Sequence, residues 1–148
     1  MNPWQHLEKV RQKSSRLWLG LMSGTSLDGL DIALVAIAGS GSATKISLEA
    51  FASPPYSAEW QHCLQHCTNP MEVSAIELGQ LHVGLGSHWA EIVLQQLHEW
   101  HIDLQSIDAV ASHGQTVLHL PPESTLRAYL PKSFPNQRSP NVGLGKLQ

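Results

Sequence analysis

The sequence predicts an α/β lobe in which three antiparallel strands are followed by a long helix and a further strand beside the first. Three observations carry that reading. Two short apolar runs, residues 17–22 and 30–37, meet through a tight turn of Gly, Ser, Thr and Asp; apolar residues recur at three- and four-residue steps across 73–101; and a short apolar run at 107–111 leads into a polar segment.

Taken in order, residues 1–16 combine Pro3, scattered charges and paired serines without a period, which predicts a loose, flexible arm. Residues 17–22 and 30–37 are apolar enough to be buried strands. Residues 23–29 between them hold the small and polar types that supply positive φ and side-chain-to-backbone bonds. Gly39-Ser40-Gly41-Ser42 reads as a hairpin turn into a third strand at 45–52, where Ile46, Leu48, Ala50 and Ala52 alternate with other residues. Pro54-Pro55 ends the sheet run, a short helix is expected over 58–67, and Asn69-Pro70 breaks it.

In the long helix at 73–101, the repeating apolar residues are Val73, Ile76, Leu81, Leu85, Trp89, Ile92, Val93 and Trp100. Gly79, Gly84 and Gly86 lie inside it. Each costs about 1 kcal/mol relative to alanine, which predicts close approach of a neighbouring element on that side. Residues 107–111 form a short strand that ends in the loop Ser112-His113-Gly114-Gln115-Thr116. A polar loop at the end of a buried strand is where α/β sheets hold ligands. From Arg127 onward there is no Asp or Glu and neither period is followed, so residues 127–148 are expected to be an off-pattern, disordered tail.

Bulk properties narrow the partners. With 148 residues and 42% hydrophobic content, the chain is sized for one modest core. A net charge of −3 supplies no global positive field, so nucleic acid and anionic membranes are not expected as partners. No apolar run is long enough for a span and the start lacks a signal-like apolar core, which predicts a cytoplasmic protein. Cys63 and Cys67 are expected as reduced thiols on the short helix.

The turn at 23–31 has the makings of an anion site. Such a site needs backbone N–H groups converging on one concavity, hydroxyls that add donors, and glycine where a Cβ would hold a phosphate oxygen off. Gly24, Thr25 and Ser26 offer these, with Asp28 placed to hold a magnesium-bound water or to fasten the loop, and Asp31 close to the same mouth. An Asx-type hairpin turn accounts for the same residues.

Met22-Ser23-Gly24-Thr25-Ser26-Leu27-Asp28-Gly29-Leu30-Asp31, taken together with Ser112-His113-Gly114-Gln115-Thr116-Val117-Leu118-His119, closely resembles the anhydro-N-acetylmuramic acid kinases. These are cell-wall recycling enzymes of the sugar kinase, Hsp70 and actin superfamily. The segment Leu78-Gly79-Gln80-Leu81 is also similar, so the resemblance covers residues 17–126. It implies a ribonuclease H-like, actin-like ATPase lobe that is truncated and binds ATP and magnesium. By the same resemblance, Ser23, Gly24, Thr25, Ser26, Leu27, Asp28, Gly29, Leu30 and Asp31 form the first phosphate loop. Asp28 is the candidate magnesium contact, through water. His113, Gly114, Gln115 and Thr116 are expected on the cleft side near the sugar, as donors and shape. The implied reaction is ATP-dependent phosphorylation of 1,6-anhydro-N-acetylmuramic acid with opening of the anhydro ring, giving N-acetylmuramic acid 6-phosphate. A family-like homodimer is left open, since nothing in the residues speaks to it.

Departures from the family pattern are equally informative. Family members are more than twice this long, and their catalytic aspartate follows the Ser-His-Gly-Gln segment, near a second Gly-rich loop. No Asp occurs after Asp108, so no catalytic residue is assigned. A tail out of register with the ancestral reading frame explains the compositional shift after 126, and an inactive truncated form is expected. The alternative is a non-catalytic nucleotide-binding or interaction module derived from the first lobe.

Other chemistry is weaker. His62 with His66, and Cys63 with Cys67, stand at metal-ligand spacing, but neighbouring helix positions diverge by about 100°, so the two pairs do not converge on one ion. Gly143-Leu144-Gly145-Lys146 resembles part of a P-loop without its full spacing, its following Ser or Thr, or a preceding strand.

Overall fold

The computed structural model describes residues 2–69, 73–118 and 142–144. It contains α1 (Pro3–Gln12), β1 (Ser15–Ser23), β2 (Asp31–Ala38), β3 (Lys45–Ala52), α2 (Ala58–Cys67), α3 (Ala75–Glu99), β4 (Ala109–Leu118) and β5 (Val142–Leu144). The strands form one sheet in the order β3-β2-β1-β4-β5. β2 pairs antiparallel with β1 and with β3, and β4 lies beside β1 on its other side, as the sequence predicts; β4 runs parallel to β1.

The expected loose arm is instead largely a helix. Asn2 caps α1 by accepting from the Trp4 backbone N–H at 3.0 Å, and Pro3 follows in the first turn. Proline is favoured there because the N–H it lacks would have no helical partner. Glu8 then takes two bonds from Arg11, each 2.9 Å, and one from Gln12 at 2.8 Å, so local charge pairing stands in for an apolar period. Beyond the helix, Lys13 pairs with Asp108, whose other oxygen accepts from the Leu17 N–H at 2.9 Å.

Ser57 caps α2, which spans the expected residues. α3 begins at a capping box in which Ser74 and Glu77 satisfy each other's backbone N–H groups. Leu81, Leu85, Trp89, Val93 and Leu97 of α3 pack on Leu19, Ile32 and Leu34 of the sheet and on Leu64 of α2. Ile76, expected on that buried side, is 74% exposed. The helical glycines also differ from expectation. Only Gly84 lies near a neighbour, the Trp60 ring, 3.7 Å from where its Cβ would be, while Gly79 and Gly86 face open space.

Strict alternation fails in β3, because a bulge shifts the register between Leu34 and Val35 of β2. Ile46 and Leu48 therefore share the face of Phe51, away from the helices, and all three are exposed. β4 is longer than predicted: Ser112, His113, Gly114, Gln115 and Thr116 are strand residues rather than a loop. The tail also differs. The backbone of Val142–Leu144 pairs antiparallel with β4, a strand too short to leave an alternating signature. The rest of the 127–148 segment lies outside the described residues, as do residues 119–126, Pro70, and Gly145 and Lys146 of the P-loop-like fragment.

Candidate functional site

The β1–β2 connection, residues 24–30, leaves the sheet beside β4 and is strapped down by the chain just after β3. Leu30 N–H donates to Pro54 O at 3.1 Å, and Tyr56 N–H donates to Asp28 O at 2.9 Å. Gly29 is obligatory at this crossing. A Cβ there would lie 2.5 Å from Pro54 O and 3.1 Å from Pro55 Cα. Neither Gly24 nor Gly29 adopts the positive φ expected of the turn glycines; that conformation falls to Leu27, with φ 57°. A left-handed leucine costs about 1–2 kcal/mol, and its side chain is held in the core at 7% exposure. Burial thus offsets the strain.

Within β4, the pairing passes from Leu21 with Ser112 to Ser23 with Gln115, two steps on β1 against three on β4. Gly114, with φ 75°, takes up the extra residue as a bulge. The bulge turns Gln115 inward.

Ser23 and Gln115 are 1% and 0% exposed, and they join Tyr56 and Trp89 in one buried hydrogen-bond chain. The Trp89 indole N–H donates to the Tyr56 hydroxyl at 2.7 Å, which donates to Ser23 Oγ at 3.0 Å. Ser23 Oγ lies 2.5 Å from Gln115 Oε1 and 3.1 Å from Gly29 O. The Gln115 amide then donates to Gly24 O at 3.0 Å and to Thr116 O at 3.2 Å. Donor and acceptor roles follow from the two ends. The Gln115 NH₂ faces two carbonyls, so its Oε1 accepts the Ser23 hydrogen, which leaves Tyr56 to donate to Ser23 Oγ while it accepts from the indole, which can only donate.

These contacts divide the expected phosphate-loop residues. Ser23 faces inward, so its hydroxyl is occupied within the fold instead of reaching a phosphate. Leu27 and Leu30 are core residues, and their N–H groups bond Gly24 O at 3.4 Å and Pro54 O. Thr25 and Ser26 form the exposed tip, and among the described residues their backbone N–H groups make no hydrogen bond. Ser26 Oγ donates to Asp28 Oδ1 at 2.7 Å. That hydroxyl, then the Asp28 and Gly29 backbone N–H groups, holds the Asp28 carboxyl below its ordinary range, so it is charged at neutral pH. Asp31 accepts from Ser53 Oγ at 2.5 Å and lines an open concavity of about 490 Å³ on the uncovered sheet face with Gly20, Met22, Ser112 and His113.

The expected substrate-side group is divided as well. His113 is exposed, with Nδ1 3.3 Å from Gly114 O. Thr116 is half-buried and Gly114 is buried. Gln115 is not an open donor, because both ends of its amide are engaged inside the fold. Sequence reading missed Tyr56 altogether. Trp89 was legible only as an apolar member of the helical stripe, since no spacing advertises a hydrogen bond between residues from separate elements.

The helical His and Cys residues are spread over different partners and exposures. Cys63 is exposed and Cys67 buried, His66 Nε2 lies 3.3 Å from Glu77 Oε1, and no cluster of three or more His, Cys, Asp or Glu able to hold a metal occurs among the described residues.

A sheet with three antiparallel strands and a parallel fourth beside β1, covered by a long helix, fits a truncated lobe of the sugar kinase and actin-like ATPase class. Comparison with known proteins narrows this further. Residues 16–130 match the family model for anhydro-N-acetylmuramic acid kinase, close to the extent carried by the motifs. The anhydro-N-acetylmuramic acid kinase of Pseudoalteromonas atlantica is 40% identical over 120 residues, covering 79% of this chain and 30% of that protein. That of Caldanaerobacter subterraneus subsp. tengcongensis is 36% identical over 115 residues, covering 78% and 29%, and that of Salinibacter ruber 38% over 112 residues, covering 76% and 28%. The chain belongs to the anhydro-N-acetylmuramic acid kinase family, and it spans less than a third of the length of these curated relatives.

Proposed function

We propose that this chain carries the phosphate-gripping part of an anhydro-N-acetylmuramic acid kinase, with ATP phosphates seated on the Thr25–Ser26 tip. The observation that carries the reading is the pair of unengaged N–H groups at that tip, held on a loop whose base is fastened by the second motif through Gln115. Two adjacent N–H groups without a partner among the described residues, on exposed residues, and the Thr25 hydroxyl match the acceptor-rich edge of a phosphate. The Ser26 hydroxyl is turned to Asp28 and so steadies the loop rather than donating to ligand.

Asp28 suits magnesium. Its carboxylate is exposed and charged, and magnesium commonly takes one or two carboxylates with water and substrate phosphates completing its shell. When bound, the ion would neutralise charge on the phosphates. His113, exposed and lining the concavity that Asp31 also lines, is placed to meet the sugar.

In the proposed reaction, water adds to the anomeric carbon of 1,6-anhydro-N-acetylmuramic acid, the bond from that carbon to O6 breaks, and O6 takes the γ-phosphoryl group as ADP leaves. The products are N-acetylmuramic acid 6-phosphate and ADP, with a net proton released. A base must take the water's proton. No residue here matches the family's catalytic aspartate, so we assign the chain grip without the base and expect no turnover from the 148 residues alone.

Calorimetric titration with ATP and magnesium tests the reading. Binding is expected for the native chain, with loss of about tenfold or more in Thr25→Glu, whose carboxylate would oppose the phosphates. Equal affinity in the two proteins refutes the seat at the tip.

A further inference from the structure

We propose that Tyr56, oriented by Trp89, is a positioning residue for the phosphate loop. The proposal rests on the phosphate reading of Thr25 and Ser26, and adds what holds those groups in place. Neither Tyr56 nor Trp89 belongs to either motif, and neither side chain reaches the loop tip. Both act through Ser23 and Gln115.

Gln115 is held at both ends of its amide, by two backbone carbonyls and by Ser23. Its amide could be turned with oxygen or nitrogen toward Ser23, and only one orientation gives Gly24 O a donor. Because Trp89 can only donate, Tyr56 must accept from it and donate onward, and Ser23 is left with its single hydrogen for the Gln115 side. Gly24 O and Thr116 O can only accept, so the NH₂ faces them and Oε1 faces Ser23, whose hydrogen it needs and whose oxygen Tyr56 supplies with a donor. Gly24 O also accepts from Leu27 N–H at 3.4 Å, the bond that closes the turn over Thr25 and Ser26. A chain of fixed direction therefore runs from the long helix, through the segment after β3, to the carbonyl at the base of the loop. With Ser23 and Gln115 essentially without solvent exposure, water cannot replace a missing link there.

Tyr56→Phe keeps the ring in the core and deletes one hydroxyl. It leaves the Trp89 indole N–H without its acceptor and Ser23 Oγ without its donor, so Ser23 is held less firmly against Gln115 Oε1 and the amide's hold on Gly24 O loosens. The test uses the isotopically labelled 148-residue chain, without and with ATP. In the ATP-free protein, hydrogen exchange at Leu27 and Leu30 N–H is expected to accelerate about tenfold in Tyr56→Phe. Exchange in the middle of α3 and β2 should be unchanged, and the Trp89 indole resonance should move. A general loss of stability would instead speed all of these sites together. ATP affinity should fall about tenfold in the same variant.

Trp89→Phe, which removes only the first donor, is expected to give a smaller change of about threefold at the same sites and serves as the second variant should Tyr56→Phe fold poorly. Unchanged Leu27 and Leu30 exchange in folded Tyr56→Phe overturns the positioning role, as does uniform acceleration across the chain. Failure of the native chain to bind ATP while loop exchange still responds overturns the phosphate reading and leaves the relay's hold on the loop supported. Equal ATP affinity in native and Tyr56→Phe chains overturns the relay's role in binding.

Discussion

Gly29→Ala is the substitution with the most calculable consequence. The added Cβ would meet Pro54 O at 2.5 Å, Pro54 C at 3.2 Å and Pro55 Cα at 3.1 Å, all backbone atoms that cannot rotate away. The two chain segments must separate, and the bonds between them, Leu30 N–H to Pro54 O at 3.1 Å and Tyr56 N–H to Asp28 O at 2.9 Å, lengthen together. An overpacked site costs about 1–3 kcal/mol, and each weakened backbone bond about 1 kcal/mol. The expected loss is about 3 kcal/mol. For a slope of about 1.5 kcal/mol per molar urea, the midpoint should fall by about 2 M. Gly24→Ala is the control: its Cβ would sit 3.4 Å from Ser26 Oγ, a side-chain atom able to give, and less than about 0.5 M is expected. Equal midpoints for the two variants would refute the claim that Gly29 is required by close approach.

Three further outcomes follow from the same contacts. Ser23→Ala removes the middle link of a buried chain and leaves Gln115 Oε1 and the Tyr56 hydroxyl without their partner, so urea denaturation should show a loss of about 2 kcal/mol. Glu77 is held at about 2, first by the Ser74 hydroxyl and then by the Ser74 backbone N–H and His66, against 4.5 in the free carboxyl. Its folded value is depressed, so the ionised group stabilises above about pH 4.5 and that contribution is lost as pH falls towards 2. The urea midpoint of the native chain should therefore exceed that of Glu77→Gln at pH 7, and the gap should close on acidification; a gap that widens contradicts the assignment. In a coupled assay with ATP, magnesium and 1,6-anhydro-N-acetylmuramic acid, the 148-residue chain should yield no phosphorylated sugar above background, and any sustained turnover would show that a base lies within these residues.

Local patterns made most of the architecture legible. The apolar runs around residues 17–37, the Pro54-Pro55 and Asn69-Pro70 breaks around α2 and the stripe through Leu81, Leu85, Trp89 and Val93 each state their element within a few residues of chain. Where reading failed, the cause was short or nonlocal. α1 rests on an Asn-Pro start and on charge pairs rather than on an apolar period, and β5 is three residues long. The bulge at Gly114 depends on how β4 meets β1, which only pairing reveals. Within the site, the motifs marked two segments that the fold brings together, but 112–116 read as a loop where it is strand, and nothing in the motifs said which polar side chains face out. Ser23 and Gln115 look like ligand donors in one dimension. They become internal fasteners only once Tyr56 and Trp89, 33 and 66 positions beyond Ser23, close around them.

The central claim, that ATP phosphates sit on the exposed tip of the β1–β2 loop, is tested most directly by mapping amide shifts in the labelled chain during titration with ATP and magnesium. The account predicts saturable shifts largest at Thr25 and Ser26, with smaller ones at Asp28 and His113. Shifts that leave Thr25 and Ser26 untouched and gather elsewhere, such as along the Ile46, Leu48 and Phe51 face, would contradict it.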